Sequence, residues 1–297
     1  MPEPAHEPTP LPTIVDLEGA GGVRLRADVF GDPDGPPVML LHGGGQTRYA
    51  WGTTAQILTA RGWLVYRVDL RGHGESEWPA DGDYLLDAFA SDVDAIARAL
   101  PKLPVLVGAS LGGVASMVAI AEADVPIARA LVLVDVAPTM EPEGIDRISA
   151  FMTEHLETGF GSLDEVADAI AAYNPHRPRP RDLSGLRKNV RLRDDGRWVW
   201  HWDPRFITGS RGSRDETRAS FTTPERLQAA ARRLTLPTLL VRGRASDLLS
   251  EEGAKELLAL VPHAEFVDVA GAGHMVAGDR NDIFNEAIVG FLDRLPR

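Results

Sequence analysis

Three side chains in this sequence have the types and surroundings for nucleophilic attack on a carbonyl: Ser110, Asp247 and His274. Ser110 stands in Gly108-Ala109-Ser110-Leu111-Gly112, a G-x-S-x-G between the apolar run Val105-Leu106-Val107 and a small-residue run that starts at Leu111. A serine hydroxyl reaches a carbonyl only when it projects from the backbone into open space. A sharp strand-to-helix turn projects it and crowds its neighbours. Gly108 and Gly112 relieve that crowding, and Gly113 lets the helix lie close to the strand. The helix start also aims free N–H groups at the place where negative charge would develop.

The hydroxyl needs a base to take its proton and an acid to orient that base. Of the eight histidines, His274 is the one that follows a late apolar run within G-x-G-H. Two acids qualify. Asp247 sits in the loop after the strand at 236–243, as the acid that precedes the histidine's own strand, and Asp135 ends the apolar run Ala130-Leu131-Val132-Leu133-Val134. Position favours Asp247, with Asp135 as the alternative. With either acid the chain order is Ser, Asp, His, unlike the two well-known protease orders.

The elements that must position these groups can be read from periodicity. Residues 14–30 read as two short strands around the Gly19–Gly22 turn, with alternation in the second. Residues 37–42, 63–69, 104–107, 130–135, 236–243 and 264–269 are short apolar strands, separated by helices predicted over 50–60, 83–100, 251–261 and 279–295. That alternation implies a mostly parallel sheet with helices on both faces. The site residues then fall at the C-terminal ends of strands, where open α/β sheets bind ligands.

Residues 138–235 lack a core-type strand and read as an inserted, mainly helical cap. Helices are predicted over 142–158, 163–173 and 224–234, with Ser162 and Glu165 as a capping box and a hairpin around Asp195-Gly196. Trp198, Trp200 and Trp202 share one strand face, which suits either an apolar substrate pocket or docking of the cap. Trp51, Trp200 and Trp202 are the candidate pocket aromatics. The resulting division is a proline-rich tail over 1–12, a core over 13–137 and 236–297, and the cap between them.

Two further stretches carry polar residues beside glycines. His42-Gly43-Gly44-Gly45-Gln46 ends a strand; no G-K-[ST] follows, which argues against a nucleotide loop. His42 reads as a brace for that loop rather than a catalytic group. Asp69-Leu70-Arg71-Gly72-His73-Gly74 reads as a hydrogen-bonded turn that shapes the site.

Composition narrows the function classes. The chain is 44% hydrophobic and 25% charged over 297 residues, ordinary globular values. A net charge of −12 without a long basic run argues against nucleic-acid binding. The absence of cysteine excludes disulfides, thiolate catalysis and Cys-based metal sites. The N-terminus lacks the basic and apolar regions of a signal peptide, and no uncharged apolar run would span a bilayer. The expectation is a soluble cytoplasmic protein, monomer or homodimer, with a small-molecule substrate and no nucleic-acid or membrane partner.

Together, His42-Gly43-Gly44-Gly45-Gln46, Asp69-x-Arg71-Gly72-His73-Gly74, Gly108-x-Ser110-x-Gly112-Gly113, Ser246-Asp247 and Gly273-His274 resemble the α/β-hydrolase superfamily, most of all its small bacterial serine carboxylesterases. The resemblance runs over residues 14–295. It implies Ser110 as nucleophile, His274 as base and Asp247 as acid, with Asp135 still open because some members carry the acid after strand six. It implies an oxyanion hole made by the N–H groups of Gly44 and Leu111, with Gly45 as a second choice for the former. It further implies cleavage of small to medium apolar esters or lactones through an acyl-enzyme, with no metal or organic cofactor. Carbon–carbon hydrolysis, cofactor-free perhydrolysis and a ligand receptor with vestigial turnover are the alternatives on the same fold.

Overall fold

The computed structural model describes residues 11–174, 179, 181–209, 221, 223–270, 273 and 282–296. Eight strands form one sheet in the order β1-β2-β4-β3-β5-β6-β9-β10. They are β1 (Thr13–Glu18), β2 (Arg24–Phe30), β3 (Pro37–Leu41), β4 (Leu64–Val68), β5 (Val105–Ala109), β6 (Ala130–Val134), β9 (Thr238–Gly243) and β10 (Glu265–Val269). The first two strands pair antiparallel with each other, and β2 pairs antiparallel with β4; every pairing from β4 to β10 is parallel. The central strands β3, β5 and β6 are buried along their whole length. This is why they read as unbroken apolar runs rather than alternating ones.

Two apolar layers cover the sheet. On one face, α1 (Gly52–Ala60) and α9 (Asp282–Asp293) contribute Ala55, Leu58, Phe284 and Ile288. On the other, α2 (Leu86–Arg98), α3 (Leu111–Glu122) and α8 (Glu251–Leu260) contribute Phe89, Val93, Val114, Val118 and Leu257. The helix after β3 and the helix after β5 therefore lie on opposite faces. Strand order reverses between β3 and β5, the kind of point at whose C-terminal strand ends open α/β sheets bind ligands.

No described residue between β6 and β9 joins this sheet. The segment holds α4 (Pro142–Thr153), α5 (Leu163–Tyr173), a small hairpin of β7 (Val190–Leu192) and β8 (Trp198–Trp200), a single helical turn α6 (Arg205–Thr208), and α7 (Pro224–Arg232). Three local expectations change. The first helix ends at Thr153, five residues short of 158, in a chain that turns back through His155 at φ 59°. The Ser162 side chain accepts the Glu165 N–H at 3.2 Å, but the Glu165 carboxylate takes the Gly161 N–H at 2.6 Å instead of closing the box on Ser162. The hairpin turn closes from Gly196 N–H to Arg193 C=O at 2.9 Å, with Gly196 in the left-handed region at φ 82°, so Asp194 and Asp195 occupy its centre. Among the described residues no helix is long and apolar enough to cross a membrane.

Candidate active site

Ser110 sits where β5 ends and α3 begins, with φ 46° and ψ −114°, a conformation that a non-glycine residue holds only when its surroundings enforce it. The enforcement is visible. The Ser110 N–H donates to Val134 C=O at 3.1 Å, and the Gly112 N–H donates to His42 C=O at 3.2 Å, tying the turn to both neighbouring strands. A Cβ at Gly108 would stand 2.5 Å from the Gly112 backbone, and one at Gly112 would stand 2.5 Å from Leu41 C=O. Only glycine fits either position. Ser110 itself keeps partial exposure among almost wholly buried neighbours.

The loop after β3 lies directly against it: a Cβ at Gly43 would be 3.3 Å from Ser110 Cβ. Two histidines hold this loop. His42 Nε2 accepts the Leu70 N–H at 3.0 Å, so Nδ1 carries the proton and donates to Gly43 C=O at 2.8 Å. His73 Nε2 accepts the Gly45 N–H at 3.1 Å, and its Nδ1 donates to Arg71 C=O at 2.9 Å. Both rings are fully buried, with centroids 5.2 Å apart. Burial pushes His42 down to about 4; burial, with the neighbouring His42 adding to it, pushes His73 down to about 3. Neutral imidazoles with one donor and one acceptor nitrogen are what these hydrogen bonds require.

The loop amides are thereby sorted. Gly43 N–H goes to Gln46 Oε1 at 3.0 Å and Gly45 N–H to His73. Among the described residues the Gly44 N–H has no partner, and the Leu111 N–H stands at the first position of α3, where no intrahelical acceptor exists.

The turn after β4 is built on buried charge. Arg48 is 1% exposed and pairs with Asp28 at 3.1 Å, with Glu75 at 2.5 Å and with Asp69. Asp69 also accepts the Arg48 N–H at 2.6 Å and the Glu75 N–H at 3.0 Å. Arg71 pairs with buried Asp92 through two nitrogens, each 2.6 Å away. The Asp-x-Arg-Gly-His-Gly stretch is thus a braced turn, as its residue types suggest. Arg48 escaped sequence reasoning; its place two residues after Gln46 is its sole local cue.

The two candidate acids stand in different surroundings. Asp135 is fully buried at the end of β6, with φ 52°. Its Oδ1 accepts the Gly243 N–H at 3.0 Å and its Oδ2 accepts the Ser246 hydroxyl at 2.6 Å. That hydroxyl accepts the N–H groups of Leu248 and Leu249 at 3.1 and 3.2 Å, so its proton is left for Asp135. The Asp247 side chain is 35% exposed and its Oδ2 lies 2.6 Å from Arg147 Nη1 on α4. His274 lies outside the described residues.

The tryptophans divide. Trp51 is fully buried on the sheet face covered by α1 and α9, its ring 6.2 Å from Phe284, and has no surface to offer a substrate. Trp200 and Trp202 stack at 4.9 Å and 11°. Trp200 packs on Phe151 and Phe160, and Trp202 forms a β-bridge to His73, which docks this hairpin on the braced turn. Phe206 and Met152, which sequence reasoning passed over, lie over the glycine loop.

Comparison with known proteins identifies the family. The alpha/beta hydrolase family profile matches residues 38–287. The chain is 30% identical to Esterase Rv0045c of Mycobacterium tuberculosis, over 96% of this chain and 90% of that protein. It is 31% identical to the 3-hydroxybutyrate-oligomer hydrolase of Cupriavidus necator, over 87% of this chain and 89% of that protein. Among solved structures, E-2-(acetamidomethylene)succinate hydrolase superposes with a TM-score of 0.78 at 25% identity, over 95% of this chain and 99% of that one. The chain belongs to the alpha/beta hydrolase family and is an esterase-type hydrolase.

Proposed function

We propose that this enzyme cleaves carboxylic esters of small to medium apolar substrates through a covalent acyl-enzyme on Ser110. The observation that carries this reading is the strained Ser110 turn packed against the Gly43–Gly45 loop, with the Gly44 and Leu111 amides left for an oxyanion. Ser110 Oγ attacks the carbonyl carbon while His274 takes its proton. The oxygen, now negative, receives the two N–H groups. The C–O bond to the alcohol breaks and His274 returns the proton to the leaving oxygen. Water then attacks the acyl-enzyme by the same route and frees the acid.

For the acid we favour Asp135 over Asp247. A triad acid needs buried, fixed oxygens that orient the imidazole. Asp135 is held by Gly243 and Ser246 on the strand next to β5, whereas the Asp247 carboxylate is engaged by an arginine. The names of the two curated relatives, an esterase and a hydrolase of hydroxyacyl oligomers, support ester chemistry.

The test is hydrolysis of p-nitrophenyl acyl esters from acetate to laurate, beside Ser110→Ala and labelling by a serine-directed phosphonate. Steady turnover lost in Ser110→Ala, with the label on Ser110, supports the reading. A single burst without turnover would instead favour a ligand receptor, and absence of both label and turnover removes Ser110 as the nucleophile.

A further inference from the structure

We propose that Phe206 and Met152 form the wall that limits the acyl group, so that the enzyme prefers short acyl chains. This rests on the reading of Ser110 as nucleophile.

Sheet order assigns the two sides of the bound carbonyl. β5, which carries Ser110, lies between β3 and β6. The glycine loop follows β3, and Asp135 ends β6. A leaving group has to face the base that protonates it, and the base is oriented from the acid's side. The alcohol part therefore points toward β6 and β9, and the acyl part lies over the β3 side.

Among the described residues, apolar atoms stand over the β3 side. A Cβ at Gly44 would meet Phe206 Cε1 at 3.4 Å and Leu111 Cδ2 at 4.0 Å. A Cβ at Gly45 would meet Met152 Cε at 3.0 Å and Sδ at 3.1 Å. Phe206 is 8% and Met152 3% exposed. No polar group among these three side chains would hold a charged or hydroxylated tail.

Phe206 is also fixed. Its ring makes edge contacts with His73 at 4.9 Å, Phe89 at 5.8 Å and Tyr84 at 5.9 Å. Its helix is pinned to the core: the Tyr84 hydroxyl donates to Asp203 at 2.7 Å, and the Arg205 side chain reaches the Pro79 and Ala80 carbonyls at 3.0 and 3.2 Å. A long acyl chain would have to break these contacts. Met152 is unbranched and adaptable, so it yields more readily.

The experiment compares kcat/KM for p-nitrophenyl acetate, butyrate, hexanoate and octanoate in the wild type, Phe206→Leu, Phe206→Ala and Met152→Ala. Thermal unfolding of each variant and phosphonate labelling of Ser110 run alongside. The wild type should fall off beyond butyrate. Opening the wall should raise the octanoate-to-acetate ratio by about ten-fold or more in Phe206→Ala, given what a mismatched methylene costs in an apolar pocket. The rise should be smaller in Phe206→Leu, which keeps an apolar filler if the alanine variant folds poorly, and in Met152→Ala. If labelled, folded variants keep the wild-type ratio while all their rates fall together, the wall is structural and the inference fails. A wild type that improves steadily up to octanoate also overturns it. Loss of the Ser110 label in the wild type overturns the nucleophile itself.

Discussion

The Gly45 N–H donates to Nε2 of His73 at 3.1 Å, so a buried ring from the β4 turn holds the loop that follows β3. In the mechanism proposed above, the same bond takes Gly45 out of the oxyanion hole and leaves Gly44 as the loop's donor. His73→Phe keeps a ring in place and removes the acceptor. Losing one oxyanion donor outright costs about 10²–10³ in kcat. A donor displaced but still present should cost less, so we expect kcat on p-nitrophenyl acetate to fall ~10- to 100-fold with a smaller change in KM. Unchanged kcat would mean that the loop holds its shape without the histidine.

The two buried histidines make stability depend on pH with a definite sign. Their folded-state values, about 4 for His42 and about 3 for His73, lie below the 6.5 of an exposed imidazole. Between about pH 6.5 and these values the unfolded chain binds protons that the folded chain refuses. Their contribution is therefore present above pH 6.5 and is lost as pH falls through this window, at most about 1.4 kcal/mol per pH unit per histidine. Urea unfolding midpoints should drop steeply from pH 6.5 to 4, and His73→Phe should flatten that slope. A slope identical in variant and wild type would show that other groups dominate acid unfolding.

Asp135→Asn and Asp247→Asn separate the two acids. With Asp135 orienting the base, Asp135→Asn should lower kcat about 10⁴-fold and Asp247→Asn only several-fold. Ser246→Ala removes one hydrogen bond to the Asp135 carboxyl group, worth about 1.5–3 kcal/mol when the acceptor is charged. We expect ~10- to 100-fold lower kcat, restored in large part by Ser246→Thr. The opposite ranking of the two asparagine variants would return the role to Asp247.

Arg48 is a buried cation balanced by several carboxylates. Arg48→Met would leave Asp69 buried without its cation, a change that costs about 3–5 kcal/mol where one partner of a buried pair is removed. Arg48→Met combined with Asp69→Asn should recover part of the loss, because the orphaned charge is gone. Equilibrium urea unfolding measures both; a single variant within 1 kcal/mol of wild type would show that water reaches Asp69.

The sequence by itself determined what depends on neighbours along the chain. Unbroken apolar runs marked β3, β5 and β6 because both faces of those strands are covered. The glycines at 108 and 112 marked the Ser110 turn, because a side chain there would strike backbone at 2.5 Å. His42 and the turn from Asp69 to Gly74 were legible as braces from residue type and glycine spacing alone. Tertiary structure decided everything that depends on which distant groups meet. Asp135 is joined to Ser246 across 111 residues, and Asp247 to Arg147 across 100, and the chain position that favours Asp247 carries no information on either partner. Trp51 follows the glycine loop closely yet packs behind the sheet, because α1 crosses to the opposite face. Phe206 and Met152, remote in sequence from the glycine loop, come to cover it only once the β6–β9 segment has folded over the strand ends. Local rules depend on backbone sterics between adjacent residues, whereas partner choice depends on which side chains the completed packing leaves within a few ångströms of each other.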